Sequence, residues 1–326
     1  MLKTLMLACC PLFFVAQSNA QRYKNLALEG GGIRGIAYAG AMEILDKKHI
    51  TDSLRNIAGT SVGAIAGALV CVGYNAAEIK SILYQLKIQD FNDGEWFFLG
   101  GQRRMRKQLG WYKGDVLERW IEKHLEEKTG KNQLTFEQLH LLTLTKAHYK
   151  DLYVTATNLS RQRLQIFSWK TTPNMLVSVA VRTSMSIPLY FRAMKLDSLG
   201  KKSKSGDVYA DGGILMNYPI GIFDSGKANW ETLGLKLERP EQVDSFNNSN
   251  RVIAPYQINS LRSYIGAFYN LVIETLNRKT SMQEEAIRSI YISTAGIEPR
   301  VRKLRKADKD ILVESGRRAA ENFFRK

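Results

Sequence analysis

The chain has 326 residues, of which 44% are hydrophobic and 24% charged, and it contains no internal repeat, low-complexity stretch or proline-rich linker. This length supports one domain with an ample core, and the lack of an internal repeat argues against a repeat architecture. Lysine and arginine give the chain a formal net charge of +16. Such a charge indicates a phosphate-bearing partner; no nucleic-acid motif is present, so a membrane surface is the favoured one.

The first 20 residues have the pattern of an export signal. Lys3 precedes an apolar stretch over residues 5–16, and small residues follow at Ser18 and Ala20. The stretch is too short to span a bilayer comfortably. Cleavage before Gln21 is therefore predicted.

An uncleaved membrane tether and lipid attachment at Cys9 or Cys10 are the alternatives to cleavage, although the residues before these cysteines fit a lipid-attachment box poorly. Removal of residues 1–20 takes away one lysine and leaves 306 residues with a net charge of +15. Only Cys71 then remains, so no internal disulfide is expected, and Cys71 is interpreted as a core residue. We expect one domain over residues 21–326, exported to a periplasmic, membrane-associated or secreted location.

A run of glycines follows the first strand-like segment. Residues 23–28 alternate in polarity as a strand does, and Gly30-Gly31-Gly32-Ile33-Arg34-Gly35 comes directly after them. Backbone N–H groups in such a run point one way and bind an anion, either a phosphate or a developing oxyanion.

The same run also satisfies the dinucleotide-binding pattern G-x-G-x-x-G. That interpretation requires an acidic residue at the end of the next strand, but Asp52 precedes the strand around Ile57. The export signal argues against it as well, and no cofactor is expected.

The segment Gly59-Thr60-Ser61-Val62-Gly63 joins a short apolar run to a longer one. A G-x-S-x-G between a strand and a buried helix is the pattern of a nucleophile elbow. The glycines permit the sharp turn, and the serine hydroxyl then lies at the positive end of the following helix. An ordinary Gly/Ser turn is the alternative interpretation.

The rest of the chain alternates helical and strand-like patterns, which predicts a layered α/β fold with a mostly parallel central sheet. The predicted elements are, in chain order, helices Asn75–Lys87 and Lys113–Lys128, strands Leu152–Thr157, Arg163–Phe167 and Thr232–Leu237, helix Ser260–Lys279, strand Ser289–Ser293 and helix Ala307–Phe324.

Two further segments carry possible function. Trp96–Lys107 mixes aromatic residues with four cations, which suits either docking on a bilayer surface or a cap whose aromatics pack inward. Asp211-Gly212-Gly213 follows a strand-like segment. It is either a common Asp-Gly turn or an aspartate that reaches into a shared site.

Taken together, the glycine loop, the elbow and the Asp-Gly-Gly resemble the patatin-like phospholipase family, from about Tyr23 to Ile220. The block Ala180–Pro188 and Asn217-Tyr218-Pro219 are similar to the family as well, with Tyr218 in place of its usual asparagine. The resemblance implies a patatin-like three-layer α/β sandwich. It also implies an acyl hydrolase of the phospholipase A type that acts on membrane lipid esters and needs no metal.

The resemblance further implies a dyad of Ser61 and Asp211, with Gly30, Gly31, Gly32, Arg34 and Val62 forming the oxyanion hole. The histidine positions fit a dyad, because none of the four histidines follows Asp211 in the sequence. Arg34 either braces the loop or supplies positive charge. A catalytically idle lipid- or membrane-binding protein on the same fold is the alternative function, and the oligomeric state is left open.

Overall fold

A computed structural model describes residues 22–94, 97–247, 255–259, 282–297 and 304–325, with the single positions 264, 267 and 271. The predicted signal peptide and almost all of the predicted helix Ser260–Lys279 lie outside these residues.

An eight-stranded mixed sheet forms the centre of the molecule, in the order β10-β9-β1-β2-β4-β8-β7, with β5 also paired to β4. Its strands are β1 (Asn25–Leu28), β2 (Asn56–Gly59), β4 (Asp151–Asn158), β5 (Arg163–Phe167), β7 (Met194–Leu196), β8 (Asp207–Asp211), β9 (Thr232–Glu238) and β10 (Ser289–Ser293). The neighbours β10, β9, β1, β2 and β4 are parallel, whereas β5, β8 and β7 add antiparallel pairs. A separate ribbon pairs β3 (Gly110–Tyr112) with β6 (Leu189–Phe191).

Helices flank this sheet and complete a layered α/β fold. They are α1 (Ala37–Lys47), α2 (Ile50–Ser53), α3 (Val62–Cys71), α4 (Ala76–Gln85), α5 (Phe97–Gln108), α6 (Asp115–Thr129), α7 (Phe136–Thr145), α8 (Val177–Ser184), α9 (Gly213–Met216), α10 (Pro240–Asn247), α11 (Met282–Ile287) and α12 (Lys306–Arg325). In the described part of the chain, no helix combines the length and the apolar character that crossing a bilayer requires.

The sequence pattern explains the central elements. All four residues of β1 are buried, as expected for a parallel strand covered on both faces. Every residue of α3 is buried too, which matches its uniformly apolar sequence and includes Cys71. Helix α4 begins with a capping box, in which the Glu78 N–H donates to Asn75 Oδ1 at 2.9 Å and the Asn75 N–H donates to Glu78 Oε2 at 2.9 Å.

The C-terminal helix α12 packs closely against α1. A Cβ atom added at Gly40 would lie 1.8 Å from the Val313 carbonyl oxygen, and one at Gly316 would lie 1.9 Å from the Ala37 carbonyl oxygen. Only glycine permits backbones to approach this closely. The last described helix therefore belongs to the same core as the first.

Strand β4 pairs with both β2 and β8 and brings the carboxyl ends of these two strands together. Val154 of β4 pairs with Gly59 of β2 on one edge and with Phe167 of β5 on the other. Ala156 pairs with Asp211 of β8 on the edge opposite β5. Strands β2 and β8 therefore share one edge of β4, and their carboxyl ends meet there from opposite directions.

Candidate active site

Ser61 occupies a sharp turn between β2 and α3, as the sequence pattern predicts. Its backbone has φ +53° and ψ −122°, a conformation that L residues rarely adopt. The flanking glycines are required sterically: a Cβ at Gly59 would lie 2.4 Å from the Gly63 carbonyl oxygen, and one at Gly63 would lie 2.4 Å from the Leu28 carbonyl oxygen. Packing of α3 on β1 and β2 thus maintains the strained serine.

Ser61 is buried and contacts the end of α8 and the residue that follows it. The backbone N–H of Ser61 donates to Ser184 Oγ at 2.8 Å, so the end of α8 fixes the turn. The Ser61 Oγ donates to Met185 Sδ at 3.3 Å, and the Ser61 side chain also lowers the pKa of the neighbouring Asp211 carboxyl. Met185 could not be predicted as a neighbour of Ser61, because a methionine within an apolar block carries no chemical signal of its own.

Asp211 ends β8 and is held by several backbone contacts. Oδ1 accepts the Gly213 N–H at 2.7 Å, its own N–H donates to the Ser186 carbonyl at 2.9 Å, and its carbonyl accepts from Thr157 Oγ1 at 2.9 Å. Burial raises the pKa of the carboxyl to about 6, while the hydrogen bonds from Gly213 and Ser61 oppose that rise. A carboxylate with this pKa is a better base than an exposed one.

The glycine loop lies directly against the elbow. A Cβ at Gly30 would lie 3.3 Å from Ser61 Cβ. Gly32 has φ +55°, which favours glycine. Within the described ranges, the N–H groups of Gly31, Gly32 and Val62 have no hydrogen-bond acceptor in the protein.

Gly30 belongs to the predicted oxyanion hole, but its N–H has a partner within the protein. Its N–H donates to the Asn217 carbonyl at 2.9 Å and is not available to an oxyanion. A Cβ at Gly30 would lie 2.4 Å from Asn217 Oδ1, so this glycine provides close approach instead.

Arg34 contacts the loop as expected for a bracing residue. Its Nε donates to the Gly31 carbonyl at 3.1 Å. The Gly31 carbonyl and the Gly32 N–H belong to one planar peptide group, so this hydrogen bond helps to fix the direction of the Gly32 N–H.

Glu29 is a second residue that sequence analysis missed. Its buried carboxylate accepts Asn217 Nδ2 at 3.0 Å and the Leu237 N–H at 2.6 Å. Asn217 Nδ2 also lies 3.2 Å from the Gly30 carbonyl. Glu29 and Asn217 therefore connect the glycine loop to β9 and to the segment after Asp211. The similarity of Asn217-Tyr218-Pro219 to the family pattern was the only sequence signal for this connection.

The four histidines have other partners. His49 pairs with Asp52, His124 with Tyr74 and Glu127, and His140 with Asp151, while the His148 ring contacts Tyr149. None of these contacts involves Ser61 or Asp211. Among the described residues, no three His, Cys, Asp or Glu side chains are grouped closely enough to hold a metal ion.

The structure changes the interpretation of Trp96–Lys107. Residues 97–108 form the helix α5, and Arg104 is buried with its Nε donating to the Trp111 carbonyl at 2.8 Å. Arg104 is therefore structural, whereas Arg103, Arg106 and Lys107 are exposed. Trp96 lies outside the described residues.

An elbow serine and a buried aspartate on a mixed, helix-flanked sheet define the class of fold and site. The family model of the patatin-like phospholipases matches residues 26–224, which include the glycine loop, Ser61 and Asp211. The chain belongs to the patatin-like phospholipase family. This membership supports a lipid hydrolase function.

Relatives share most of the chain. Uncharacterized protein R571 of Acanthamoeba polyphaga mimivirus is 32% identical over 243 residues, which cover 74% of this chain and 73% of the relative. The probable lipid hydrolase 463L of Invertebrate iridescent virus 6 is 27% identical over 205 residues, 61% of this chain and 63% of the relative.

Two solved structures share the fold. VipD from Legionella pneumophila aligns with a TM-score of 0.60 at 20% identity, covering 93% of this chain and 67% of VipD. ExoU from the type III secretion system of Pseudomonas aeruginosa aligns with a TM-score of 0.51 at 18% identity, covering 94% of this chain and 53% of ExoU. The patatin-like α/β fold is thus confirmed.

Proposed function

We propose that this protein is an exported lipid acyl hydrolase of the phospholipase A type, which cleaves carboxylic esters of membrane lipids. A dyad of Ser61 and Asp211 performs the reaction. The observation that carries the proposal is the meeting of two carboxyl strand ends, which places the strained elbow serine beside a buried carboxylate. Burial raises the pKa of that carboxylate to about 6.

The first half of the reaction forms an acyl-enzyme. Ser61 Oγ attacks the ester carbonyl while its proton passes to Asp211. The N–H groups of Gly31, Gly32 and Val62 stabilise the resulting oxyanion, and a donor of this kind contributes about 2.7–4 kcal/mol in the transition state. Asp211 then returns the proton to the leaving alcohol as the tetrahedral intermediate collapses.

Water completes the cycle. Asp211 accepts a proton from the water that attacks the acyl carbonyl, and Ser61 Oγ recovers that proton as the fatty acid leaves. Asp211 accounts for every proton transfer, so the cycle is complete with the residues of this chain.

The energetic cost of Asp211 argues against an idle binding protein. A buried carboxylate with a raised pKa destabilises the fold at neutral pH. A protein that only bound lipid would gain stability from asparagine at this position. The glycine loop and the elbow are also complete in this chain.

The dyad is tested with Ser61→Ala, Asp211→Asn and the double variant on a soluble short-chain ester. Each single variant should lose roughly a thousandfold or more in kcat/KM, and the double variant should be little worse, because residues that act as a unit are not additive. Asp207→Asn at the other end of β8 is the matched control and should retain activity. A His→Ala variant that folds normally but is as inactive as Ser61→Ala would overturn the dyad.

Product analysis addresses the substrate class. The wild-type protein is incubated with a mixed lipid extract, and the products are identified by mass spectrometry. We expect free fatty acids together with lysophospholipids. Phosphate monoesters or diacylglycerol instead would contradict carboxylic ester cleavage.

A further inference from the structure

The β3–β6 ribbon exposes two leucines at one end. Leu109 immediately precedes β3 and is 47% exposed, and Leu189 begins β6 and is 64% exposed. Because Gly110 pairs with Leu189 across the ribbon, the two leucines are neighbours in space. Both are large apolar side chains that face solvent.

Both leucines also have an unfavourable backbone. Leu109 has φ +60° and Leu189 has φ +66°, a region where glycine or asparagine is less strained. An exposed leucine in this conformation gains nothing from burial in the described fold. The strain therefore points to a use of the side chains outside the molecule.

The ribbon is held rigidly. Arg182 is buried beneath it and donates to the carbonyls of Gly114 at 2.9 Å and Arg192 at 3.2 Å. Arg104 Nε donates to the carbonyl of Trp111 in β3 at 2.8 Å. The leucines are thus presented by a fixed scaffold.

Exposed cations adjoin the two leucines. Helix α5 ends at Gln108, immediately before Leu109, and carries the exposed residues Arg103, Arg106 and Lys107. Its sequence FFLGGQRRMRKQ contains no acidic residue. Apolar side chains beside exposed cations are typical of proteins that dock on an anionic bilayer, with the apolar groups below the headgroups.

The ribbon lies close to the dyad. Ser186 accepts the Asp211 N–H through its carbonyl and an N–H of Arg182 through its Oγ. Leu189 follows three residues later, a distance that extended chain spans in at most about 11 Å. Docking at the ribbon would place the membrane surface near the Ser61 hydroxyl.

We infer that the β3–β6 ribbon is the membrane-insertion edge of this protein, where Leu109 and Leu189 enter an anionic lipid bilayer and the three α5 cations contact headgroup phosphates. The inference rests on the proposed function for its purpose, but binding to vesicles tests it without any catalysis.

The test measures binding to vesicles of phosphatidylcholine with phosphatidylglycerol. All variants carry Ser61→Ala, so that no lipid is hydrolysed. Leu109→Asn combined with Leu189→Asn should weaken binding roughly tenfold or more, and the melting temperature should not fall because asparagine tolerates positive φ. The matched control replaces Leu141 and Leu144 of α7, which are 54% and 69% exposed, with asparagine and should bind normally.

A second arm removes charge. Replacing Arg103, Arg106 and Lys107 with serine, with Arg104 retained, should weaken binding at low salt and reduce the dependence on salt. Unchanged binding in the leucine variant, or equal loss in the α7 control, would overturn the inference. Activity on a soluble ester is measured separately in proteins that retain Ser61, and its absence in the wild type would contradict the proposed function alone.

Discussion

At the residue scale, burial sets the chemistry of Asp211. The carboxyl lies where solvent cannot stabilise its negative charge, and the hydrogen bonds from Gly213 and Ser61 offset only part of that loss. In the proposed dyad, the raised pKa allows Asp211 to accept a proton from serine without a histidine between them.

The pH dependence of activity follows. Asp211 must be ionised to act as a base, so kcat/KM for a soluble ester should rise with pH around a midpoint near the pKa of about 6. Initial rates across pH 4 to 8 check this. A flat profile, or a midpoint near the ordinary pKa of aspartate, would contradict the role of burial.

The free energy of unfolding should instead fall as pH rises. The folded pKa of about 6 exceeds the ordinary value of 3.8, so the folded state binds more protons between these values and loses stability as pH rises through them. The loss is at most about 3 kcal/mol. Urea unfolding of Asp211→Asn should show a gain over wild type that grows through this window and then levels off. If the unfolding free energies of Asp211→Asn and wild type differed by the same amount at all pH values, the raised pKa of Asp211 would be contradicted.

Ser61 gives a second prediction at this scale. Ser61→Ala and Ser61→Gly both remove the hydroxyl, but only glycine relieves the backbone at φ +53°. We therefore expect Ser61→Gly to be more stable than Ser61→Ala by about 1 kcal/mol or more. Equal unfolding free energies of the two inactive variants would show that the elbow is not strained.

At the element scale, the α1–α12 contact depends on its glycines. Gly→Ala within a helix usually stabilises, yet a Cβ at Gly316 would lie 1.9 Å from the Ala37 carbonyl oxygen. Gly316→Ala should therefore destabilise the protein by roughly 2 kcal/mol or more. Thermal unfolding measures this, with the exposed Arg318→Ala on the same helix as the control. A stabilised Gly316→Ala variant would mean that α12 does not dock as described.

Local sequence patterns predicted many of the helices and strands. Strands Arg163–Phe167 and Ser289–Ser293 were predicted with their observed bounds, and β4 and α12 each within one residue at each end. These elements have clear periodicity or an apolar run between polar segments. The ribbon strands β3 and β6 have three residues each and were missed, because so short a strand depends on its partner.

The candidate site was predicted only in part, because local motifs are visible in the sequence and contacts between distant segments are not. Ser61, the glycine loop and Asp211 belong to motifs that stand out in the sequence. The contacts from Glu29, Asn217 and Met185 depend on segments that are distant along the chain. The burial of Arg104 depends on the turn before β3, so composition alone suggested a surface cation.

At the scale of the whole molecule, sheet topology explains why two distant residues meet. Strands β2 and β8 run in opposite directions along one edge of β4, and their carboxyl ends deliver Ser61 and Asp211 to one place. The net charge of +16 has a complementary effect, because it attracts anionic surfaces over about 8–10 Å at physiological salt. In the proposed function, the fold supplies the dyad and the charge brings it to lipid.

The dyad is tested most directly by covalent labelling with a fluorophosphonate, followed by intact mass and peptide mapping. The wild type should gain one adduct, located on Ser61, as its esterase activity disappears. Ser61→Ala should gain none, and Asp211→Asn should react much more slowly because no base accepts the serine proton. An active protein that gains no adduct, or one whose inactivating adduct lies on another residue, would contradict Ser61 as the nucleophile.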